Sequence, residues 1–424
     1  MALLGVLLAA GALAIPWYSA HQYETQILAW AARSEQGPWR LHKVSHQAGL
    51  FSSGGTAELQ WRSVCPQDAD QEPLSFALAY RISHLPSRGG LSQFSWTLFP
   101  KGAAAEAAGL TAGGTVGYDG VLQADMALPA LTFGVSSQNI KLAASKGRVR
   151  LDGNALHLQW NVADIAYTTR DSLLDLHGAR MVLALNDLQR TSGNLALDLD
   201  AATAGATSLQ GLSLRTEVGE LAGGLNYKQG LAVRQMEWMG RTLSDVVLEA
   251  GVTGVHAKSA QTLAVLFKDQ CGFAALDPEK SALARQTISA LLSAGLKIGI
   301  SKFKARDADS SVDARLELEL LPNAHGEVAL VRQLQSSGEI VVKGGMLTPE
   351  QVQRAIQSGY VQEVPGGLKM GYRYSAGVLT VADQPRDAGV VPLVLARFDQ
   401  AVNDLLAPES KDPRVLVDDP ATRP

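Results

Sequence analysis

Cysteine and surplus positive charge are what this chain has least of. Only Cys65 and Cys271 occur in 424 residues, which excludes a disulfide-dense scaffold and any zinc or iron–sulfur site built from several cysteines. Lys and Arg total 37 against 41 Asp and Glu, and no five basic residues follow one another. Phosphate neutralisation needs a basic surplus or patch, so the charge balance argues against nucleic acid as the main partner. A polybasic lipid-headgroup patch is likewise unsupported.

Long uncharged runs are also scarce, and the longest lies at the amino terminus. Residues 2–20 carry no charged side chain. As a helix they would span roughly 28 Å, close to the hydrocarbon core of a bilayer. We expect residues 1–20 to form an uncleaved transmembrane anchor that ends in an aromatic belt. The side chains expected to anchor it include Leu3, Val6, Leu7, Leu8, Leu13, Ile15, Trp17 and Tyr18.

A cleaved signal peptide is the alternative interpretation of this segment. Ala12-Leu13-Ala14 has the small–x–small form that a signal peptidase accepts. The apolar pattern continues to Tyr18, however, and no Lys or Arg precedes it. Either interpretation exports the remaining chain. With the anchor retained, we expect a single-pass protein of the bacterial inner membrane with its soluble body in the periplasm.

The rest of the chain has the composition of a folded protein, since 46% of its residues are hydrophobic and 18% are charged. From Trp39 onward, short runs alternate between apolar and polar residues, most clearly over 312–320 (VDARLELEL). Such alternation predicts antiparallel strands with one buried and one wet face. The expected fold class is therefore β-rich (α+β): an N-terminal transmembrane helix, then a large, curved antiparallel sheet with a few amphipathic helices in the C-terminal half.

Capping signals predict helices near 278–294, 349–358 and 391–406. Asp277-Pro278-Glu279 and Thr348-Pro349-Glu350-Gln351 have the residue order of helix starts, and Gly295 and Gly359 that of helix stops. The expected division is an anchor at 1–20, a juxtamembrane helix at 21–36, a β-rich region at 37–260, a β-rich region with helices at 261–406 and a frayed tail at 407–424.

One short motif deserves a chemical interpretation: Gly49, Leu50, Phe51, Ser52 and Ser53. A nucleophilic serine is one possibility, but no G-x-S-x-G elbow surrounds either serine. The favoured interpretation is structural. Gly49 would supply an unusual φ, Leu50 and Phe51 would be buried, and the serines would bond the local backbone where a strand begins.

Three other patterns predict neither a metal nor a cofactor. His42 and His46 are four apart, which would place both on one face of a helix or strand, but no third ligand accompanies them. The alternating acids from Asp307 to Asp313 lack the glycine and glutamate of a calcium loop and predict a polar turn. The glycine-rich segment 113–120 contains neither a dinucleotide nor a phosphate-loop motif and predicts a strand bend or bulge.

The order of several segments resembles the YdgA-like family of bacterial envelope proteins. These segments are the amino-terminal span, the motif at 46–53 (HQAGLFSS), Val116-Gly117-Tyr118-Asp119-Gly120 and the hairpin at 368–383 (LKMGYRYSAGVLTVAD). The chain departs from the family pattern at His46, where an aromatic residue is usual, and at Ala48, where a basic residue is common. The resemblance implies an inner-membrane-anchored periplasmic protein, and it supplies no catalytic residue.

These observations lead to an expected function and two alternatives. We expect a non-enzymatic envelope protein whose β-rich body binds a protein partner or an apolar ligand such as lipid. The alternatives are a scaffold that self-associates into homo-oligomers and an enzyme with an unrecognised site. Cys65 and Cys271 are candidates for one disulfide in an oxidising periplasm, provided that the fold brings them together.

Overall fold

A computed structural model describes most of the chain from residue 39 to residue 406. The described ranges are 39–62, 74–101, 109–135, 138–169, 173–187, 192–221, 224–238, 240–267, 276–323, 329–345, 348–389 and 391–406. Before residue 39 only Thr25, Ala29 and Ala32 are described, and all three are helical. The predicted anchor at 1–20, the tail at 407–424, Cys65 and Cys271 therefore lie outside the described residues, as does most of the juxtamembrane helix predicted at 21–36.

The body is dominated by one sheet of 22 strands. In chain order the strands are β1 (Trp39–Gln47), β2 (Ser52–Trp61), β3 (Leu74–Ser83), β4 (Ser92–Pro100), β5 (Leu110–Val116), β6 (Leu122–Leu128), β7 (Leu131–Val135), β8 (Gln138–Leu142), β9 (Ser145–Asp152), β10 (Ala155–Thr168), β11 (Leu173–Asp187), β12 (Ser192–Ala204), β13 (Thr207–Leu221), β14 (Gly224–Trp238), β15 (Arg241–His256), β16 (Leu296–Arg306), β17 (Ser310–Leu320), β18 (Leu334–Gly344), β19 (Gln362–Val364), β20 (Gly367–Ser375), β21 (Val378–Val381) and β22 (Gln384–Arg386).

The strands pair almost entirely with their neighbours in the chain, and every described pairing is antiparallel. Strands β1 to β6 form a meander, and β6 then pairs with β9. From β9 to β18 each strand pairs with the next, and β20, β21 and β22 complete the series. The hairpin β7–β8 joins β10 beside β9, and β19 joins β20. The result is an open sheet, whose outermost strands are β1 and β22.

Five helices are described: α1 (Ala257–Phe267), α2 (Pro278–Ala294), α3 (Leu330–Gln333), α4 (Pro349–Ser358) and α5 (Val391–Leu406). The predictions for α2, α4 and α5 are confirmed. The side chain of Asp277 accepts a hydrogen bond from the backbone N–H of Lys280, and Thr348 and Gln351 form a reciprocal capping box. Helix α1 was not predicted, because its sequence (AKSAQTLAVLF) has no acidic residue in the first turn and no basic residue in the last.

Four of the helices gather at one end of strands β15–β18. Helices α1 and α2 connect β15 to β16, and α5 contacts both α2 and α3. The backbone N–H of Leu330 in α3 donates to the carboxylate of Asp399 in α5, and the N–H of Asn323 donates to the carbonyl of Ser293. The sheet itself continues past residue 260, because β15 pairs directly with β16.

The β-rich antiparallel fold is confirmed, as is the strand over 312–320, which forms most of β17. The polar turn predicted before this strand is also present, where the backbone N–H of Asp307 donates to the carbonyl of Ser310. Across the described ranges, no helix is long and apolar enough to cross a membrane.

Candidate functional site: the two faces of the sheet

A single row of facing residues crosses seventeen strands on one side of the sheet. Residues that face each other in register send their side chains to the same side, so the row can be followed from strand to strand. From β1 to β20 it consists of His46, Gly55, Tyr80, Trp96, Ala112, Met126, Gly147, Trp160, Met181, Leu197, Leu214, Leu231, Leu248, Phe303, Ala314, Ile340 and Met370. We call the side of the sheet that bears this row the apolar face.

The apolar face is more than one residue wide. A parallel row two positions along the strands includes Ile82, Phe94, Val149, Leu158 and Leu183. It continues through Leu195, Ile300 and Leu316, with polar interruptions at Thr216 and Gln229. Monomeric soluble proteins seldom expose large contiguous apolar patches, and those that do use them for binding.

The side chains of this face are only half-buried. Of the seventeen-residue row, Ala112 alone is buried, and Ile340 is 38% exposed. Side chains enclosed between two packed sheets would be buried along the whole row. In the described part of the chain the apolar face is therefore accessible to solvent and to ligands, because no second layer encloses it.

The opposite side, which we call the polar face, carries ion pairs between neighbouring strands. They include Arg148–Asp125 (2.9 Å), Arg180–Asp200 (3.3 Å), Arg215–Asp198 (2.8 Å), Lys302–Glu249 (3.4 Å) and Lys304–Asp313 (3.1 Å). Exposed pairs of this kind add little stability each. They do show that this face is built for contact with water, so the sheet as a whole is amphipathic.

The Gly-Leu-Phe-Ser-Ser motif lies where the chain enters β2, and most of its predicted structural roles are wrong. Leu50 and Phe51 are 41% and 47% exposed, so neither is a buried anchor. Gly49 has no left-handed φ. Its importance is steric, because a Cβ at this position would lie 2.5 Å from the carbonyl oxygen of Ser52. The prediction that the serines begin a strand is confirmed at Ser52.

Ser53 bonds a distant side chain instead of the local backbone. Its Oγ lies 3.0 Å from Nε2 of His84, and both residues are buried, with 3% and 0% exposure. Burial, and secondarily the charge of nearby His46, lowers the pKa of His84 below its usual value. A serine bonded to a histidine is the pair that acyl-transfer enzymes use. Here both members are shielded from any substrate, so the geometry favours a structural hydrogen bond.

His46 and Tyr80 form a second pair at the β1 end of the seventeen-residue row. Nδ1 of His46 lies 2.7 Å from the hydroxyl of Tyr80, and the two rings stack with their centroids 6.0 Å apart. Gly55 lies between them in register, and a Cβ there would lie 2.7 Å from the Tyr80 hydroxyl. Burial raises the pKa of Tyr80. The apolar face therefore ends at β1 in a compact polar cluster.

Glu58 is a buried carboxylate on the polar face near the same end. It is 6% exposed and lies 2.6 Å from Nζ of Lys101 and 3.0 Å from Nζ of Lys43. Hydrogen bonds from Lys101, Gln60 and Lys43, in that order of effect, lower the pKa of Glu58 to about 2. The cluster joins β1, β2 and the end of β4, so its role is to hold the first strands together.

The prediction that His42 and His46 share a face is wrong. His42 faces Glu58 and His46 faces Gly55, three residues apart on β2, so their side chains are on opposite sides of the sheet. The cause is a β-bulge between His42 and Ser45, where Lys43 has a φ of +50°. Among the described residues, no three His, Cys, Asp or Glu side chains are grouped closely enough to hold a metal ion.

A family comparison places the chain among uncharacterised bacterial proteins. The model of a bacterial protein family of unknown function, DUF945, matches residues 1–347. The chain belongs to this family. The match covers the strands from β1 to β18 and therefore nearly all of the seventeen-residue row. No curated protein and no solved structure matches the chain.

Sequence reasoning did not identify His84, Tyr80 or Glu58 as partners of the motif region. They lie 31, 34 and 16 residues from Ser53, His46 and His42, and only the pairing of β1, β2 and β3 brings them together. The alternating pattern of individual strands was visible, but nothing in it told which strand lies beside which. The continuous apolar face of this family member therefore emerged only from the register.

Proposed function

We propose that the protein binds the acyl chains of lipids along the apolar face of its open sheet. One observation carries this proposal: the seventeen-residue row is apolar over nearly its full length and remains half-buried among the described residues. Burying such a surface is favourable by about 25 cal/mol per Å², so covering it with an apolar ligand is favoured over leaving it in contact with water. Acyl chains suit it because they need no hydrogen-bond partners from the protein.

The dimensions of the row fit extended ligands better than a compact one. Neighbouring strands lie about 4.8 Å apart, so sixteen steps follow a path of about 75 Å along the sheet. This path is longer than the hydrocarbon core of a bilayer, which is roughly 30 Å. A face of this length has room for several acyl chains in succession.

The alternative of a scaffold that associates through its sheet edges receives less support. Open edges normally invite strand pairing, and natural proteins block them with charges, bulges, prolines or short strands. Strand β1 carries Arg40, Lys43 and a bulge, and β22 has only three residues, one of which is Pro385. Charge, the bulge, proline and short length therefore disfavour the pairing of a further strand with either edge.

An enzymatic role also receives less support than binding. The serine–histidine pair near the Gly-Leu-Phe-Ser-Ser motif is buried, so neither side chain is accessible to a substrate. We therefore propose a non-enzymatic binding protein. The uncharged segment at 2–20 and the resemblance to YdgA-like envelope proteins support placing it at the inner membrane with its sheet in the periplasm, where lipid is available.

The test introduces one charge on either face at neighbouring positions of β14. Leu231 belongs to the seventeen-residue row, whereas Ala232 points to the polar face, and both are half-buried. We expect Leu231→Glu to reduce the amount of phospholipid that copurifies with the protein, measured by lipid mass spectrometry after removal of detergent. Ala232→Glu adds the same charge and is expected to leave lipid binding unchanged.

Protein folding is monitored in parallel by circular dichroism, so that loss of lipid is separated from loss of the sheet. Equal lipid content in both variants, with both folded, would contradict the proposal. If a protein copurified in place of lipid, and only Leu231→Glu abolished this, the result would indicate that the apolar face binds a protein partner.

A further inference from the structure

The polar face contains a second feature, a groove over strands β14–β21. Its volume is about 790 Å³, within the range of sites that bind small molecules and short oligomers. Gln362 of β19 and Asp383 of the β21–β22 turn line it together with residues of the sheet. The charged side chains that line it lie on the polar face, although Ile300 and Leu316, whose side chains the register places on the apolar face, also border it. Its charges are therefore separate from the proposed lipid site.

The charges in this groove are unevenly balanced. Five basic and three acidic side chains line it. Lys297 pairs with Glu317, and both Arg315 and Lys369 pair with Glu339, at 3.0 and 2.7 Å. These contacts involve three of the basic side chains and two of the acids. Although the chain as a whole is acidic, with a net charge of −4, the groove has a net charge of +2.

Two basic side chains of the groove are left without an ionic partner. Lys228 and Arg373 are exposed, and neither makes an ion pair or a side-chain hydrogen bond with another described residue. Elsewhere on the polar face Arg148, Arg180 and Arg215 each pair with an aspartate on a neighbouring strand. Lys146 of that face, like Lys228 and Arg373, makes no ion pair with a described residue. Two unpaired cations in one groove are available for an external anion.

The register gives the separation of these cations. Lys228, Gly251, Gly299, Glu317, Ser337 and Arg373 form one row of facing residues across β14, β15, β16, β17, β18 and β20. Five strand spacings correspond to at most about 24 Å between Lys228 and Arg373. The two glycines beside Lys228 have no side chains to fill the groove, and Ser337 beside Arg373 offers a hydroxyl. The floor between the cations is therefore low at the glycines, offers one hydroxyl at Ser337 and carries one carboxylate, Glu317, which is paired with Lys297.

We propose that this groove binds an extended polyanion whose acidic groups reach both Lys228 and Arg373. A single small anion satisfies only one of the two cations, whereas a chain of phosphates or of carboxylated sugars contacts both cations and the Ser337 hydroxyl between them. Charge-assisted hydrogen bonds of this kind are the strongest polar contacts available to such a ligand.

The experiment measures binding of two probes to the full-length protein by isothermal titration calorimetry. The probes are a linear polyphosphate and an oligogalacturonate, each long enough to span the groove, with orthophosphate as the short comparison. We expect one of the two chains to bind more tightly than orthophosphate. The chain that binds more tightly identifies whether phosphate or sugar carboxylate is the preferred acidic group.

Matched charge-removal variants assign the binding to the groove. Lys228→Ala and Arg373→Ala are each expected to weaken chain binding by about tenfold, since each removes one charge-assisted contact. Lys146→Ala is the control, because Lys146 is an exposed lysine of the same polar face that does not line the groove. Equal weakening by all three variants would show non-specific attraction, and the absence of chain binding to the wild-type protein would overturn the proposal outright. Neither result alters the lipid-binding test, which concerns the opposite face.

Discussion

Removal of the Ser53 hydroxyl is the sharpest test of how the Gly-Leu-Phe-Ser-Ser motif works. In the structure this hydroxyl bonds Nε2 of His84, which has no exposed surface. Ser53→Ala leaves that nitrogen without the serine in a site that water does not reach. A buried polar group that loses its partner costs about 1–3 kcal/mol in free energy of unfolding. We expect a loss of this size for Ser53→Ala.

Two neighbouring substitutions set the scale for this prediction. Ser52 is half-buried, and its side chain makes no hydrogen bond with another described residue, so Ser52→Ala is expected to change stability by less than about 0.5 kcal/mol. Phe51 is 47% exposed, so Phe51→Ala loses about half of the transfer free energy of a buried phenylalanine, or about 1 kcal/mol. This order differs from that expected of a buried Phe51 anchor, for which Phe51→Ala would be the most damaging change.

Urea denaturation followed by circular dichroism gives the three free energies of unfolding. Equal stability of Ser53→Ala and Ser52→Ala would refute the role of the Ser53–His84 bond. A folded Ser53→Ala protein of wild-type stability that nevertheless failed to complement a deletion strain would indicate a chemical role for the hydroxyl.

The remaining predictions concern pH and backbone packing. The pKa of His84 in the folded protein is below the usual 6.5, so the stability that its neutral form contributes is present above pH 6.5 and decreases as the pH falls below that value. His84→Gln should flatten this part of the curve of unfolding free energy against pH. An unchanged curve would contradict the assignment. Glu58 has a folded pKa of about 2 against a usual 4.5, so its contribution is present above pH 4.5 and is lost as the pH falls toward 2, and Glu58→Gln should remove this second slope. Gly55→Ala places a Cβ 2.0 Å from the carbonyl oxygen of Ser45 and 2.7 Å from the Tyr80 hydroxyl, so we expect it to lower the free energy of unfolding by about 1–3 kcal/mol, measured by thermal or urea denaturation. Gly219→Ala is the control, because no atom lies within 4 Å of the added Cβ, and it should leave stability nearly unchanged. Similar losses in both variants would contradict the packing argument.

Local sequence signals predicted the helices α2, α4 and α5 and the strand β17 well. A helix start depends on a few neighbouring residues, as at Thr348 and Gln351, whose capping box is present in the structure. Helix α4 also ends as predicted at Gly359, whose φ of +69° requires a residue without a Cβ penalty. Strand alternation is likewise a local property, so 312–320 could be recognised without knowledge of its neighbours.

The features that depend on register could not be predicted in this way. The bulge at Lys43 reverses the side of the sheet to which His46 points, and no turn residue or proline in the sequence predicts this bulge. The Ser53–His84 bond depends on the alignment of β2 with β3, and the separation of Lys228 from Arg373 depends on five successive pairings. Each strand by itself indicates one apolar side, but only the complete order of strands shows that these sides join into one surface.

Photo-crosslinking at two adjacent residues of β12 tests the central claim most directly. Leu197 lies in the seventeen-residue row, and Ala196 faces the opposite side of the sheet. A photoreactive amino acid is placed at either position in cells, and the crosslinked products are identified by mass spectrometry. The account predicts a phospholipid adduct at position 197 and none at position 196. Adducts of equal yield at both positions, or a lipid adduct at 196 alone, would contradict a lipid-binding apolar face.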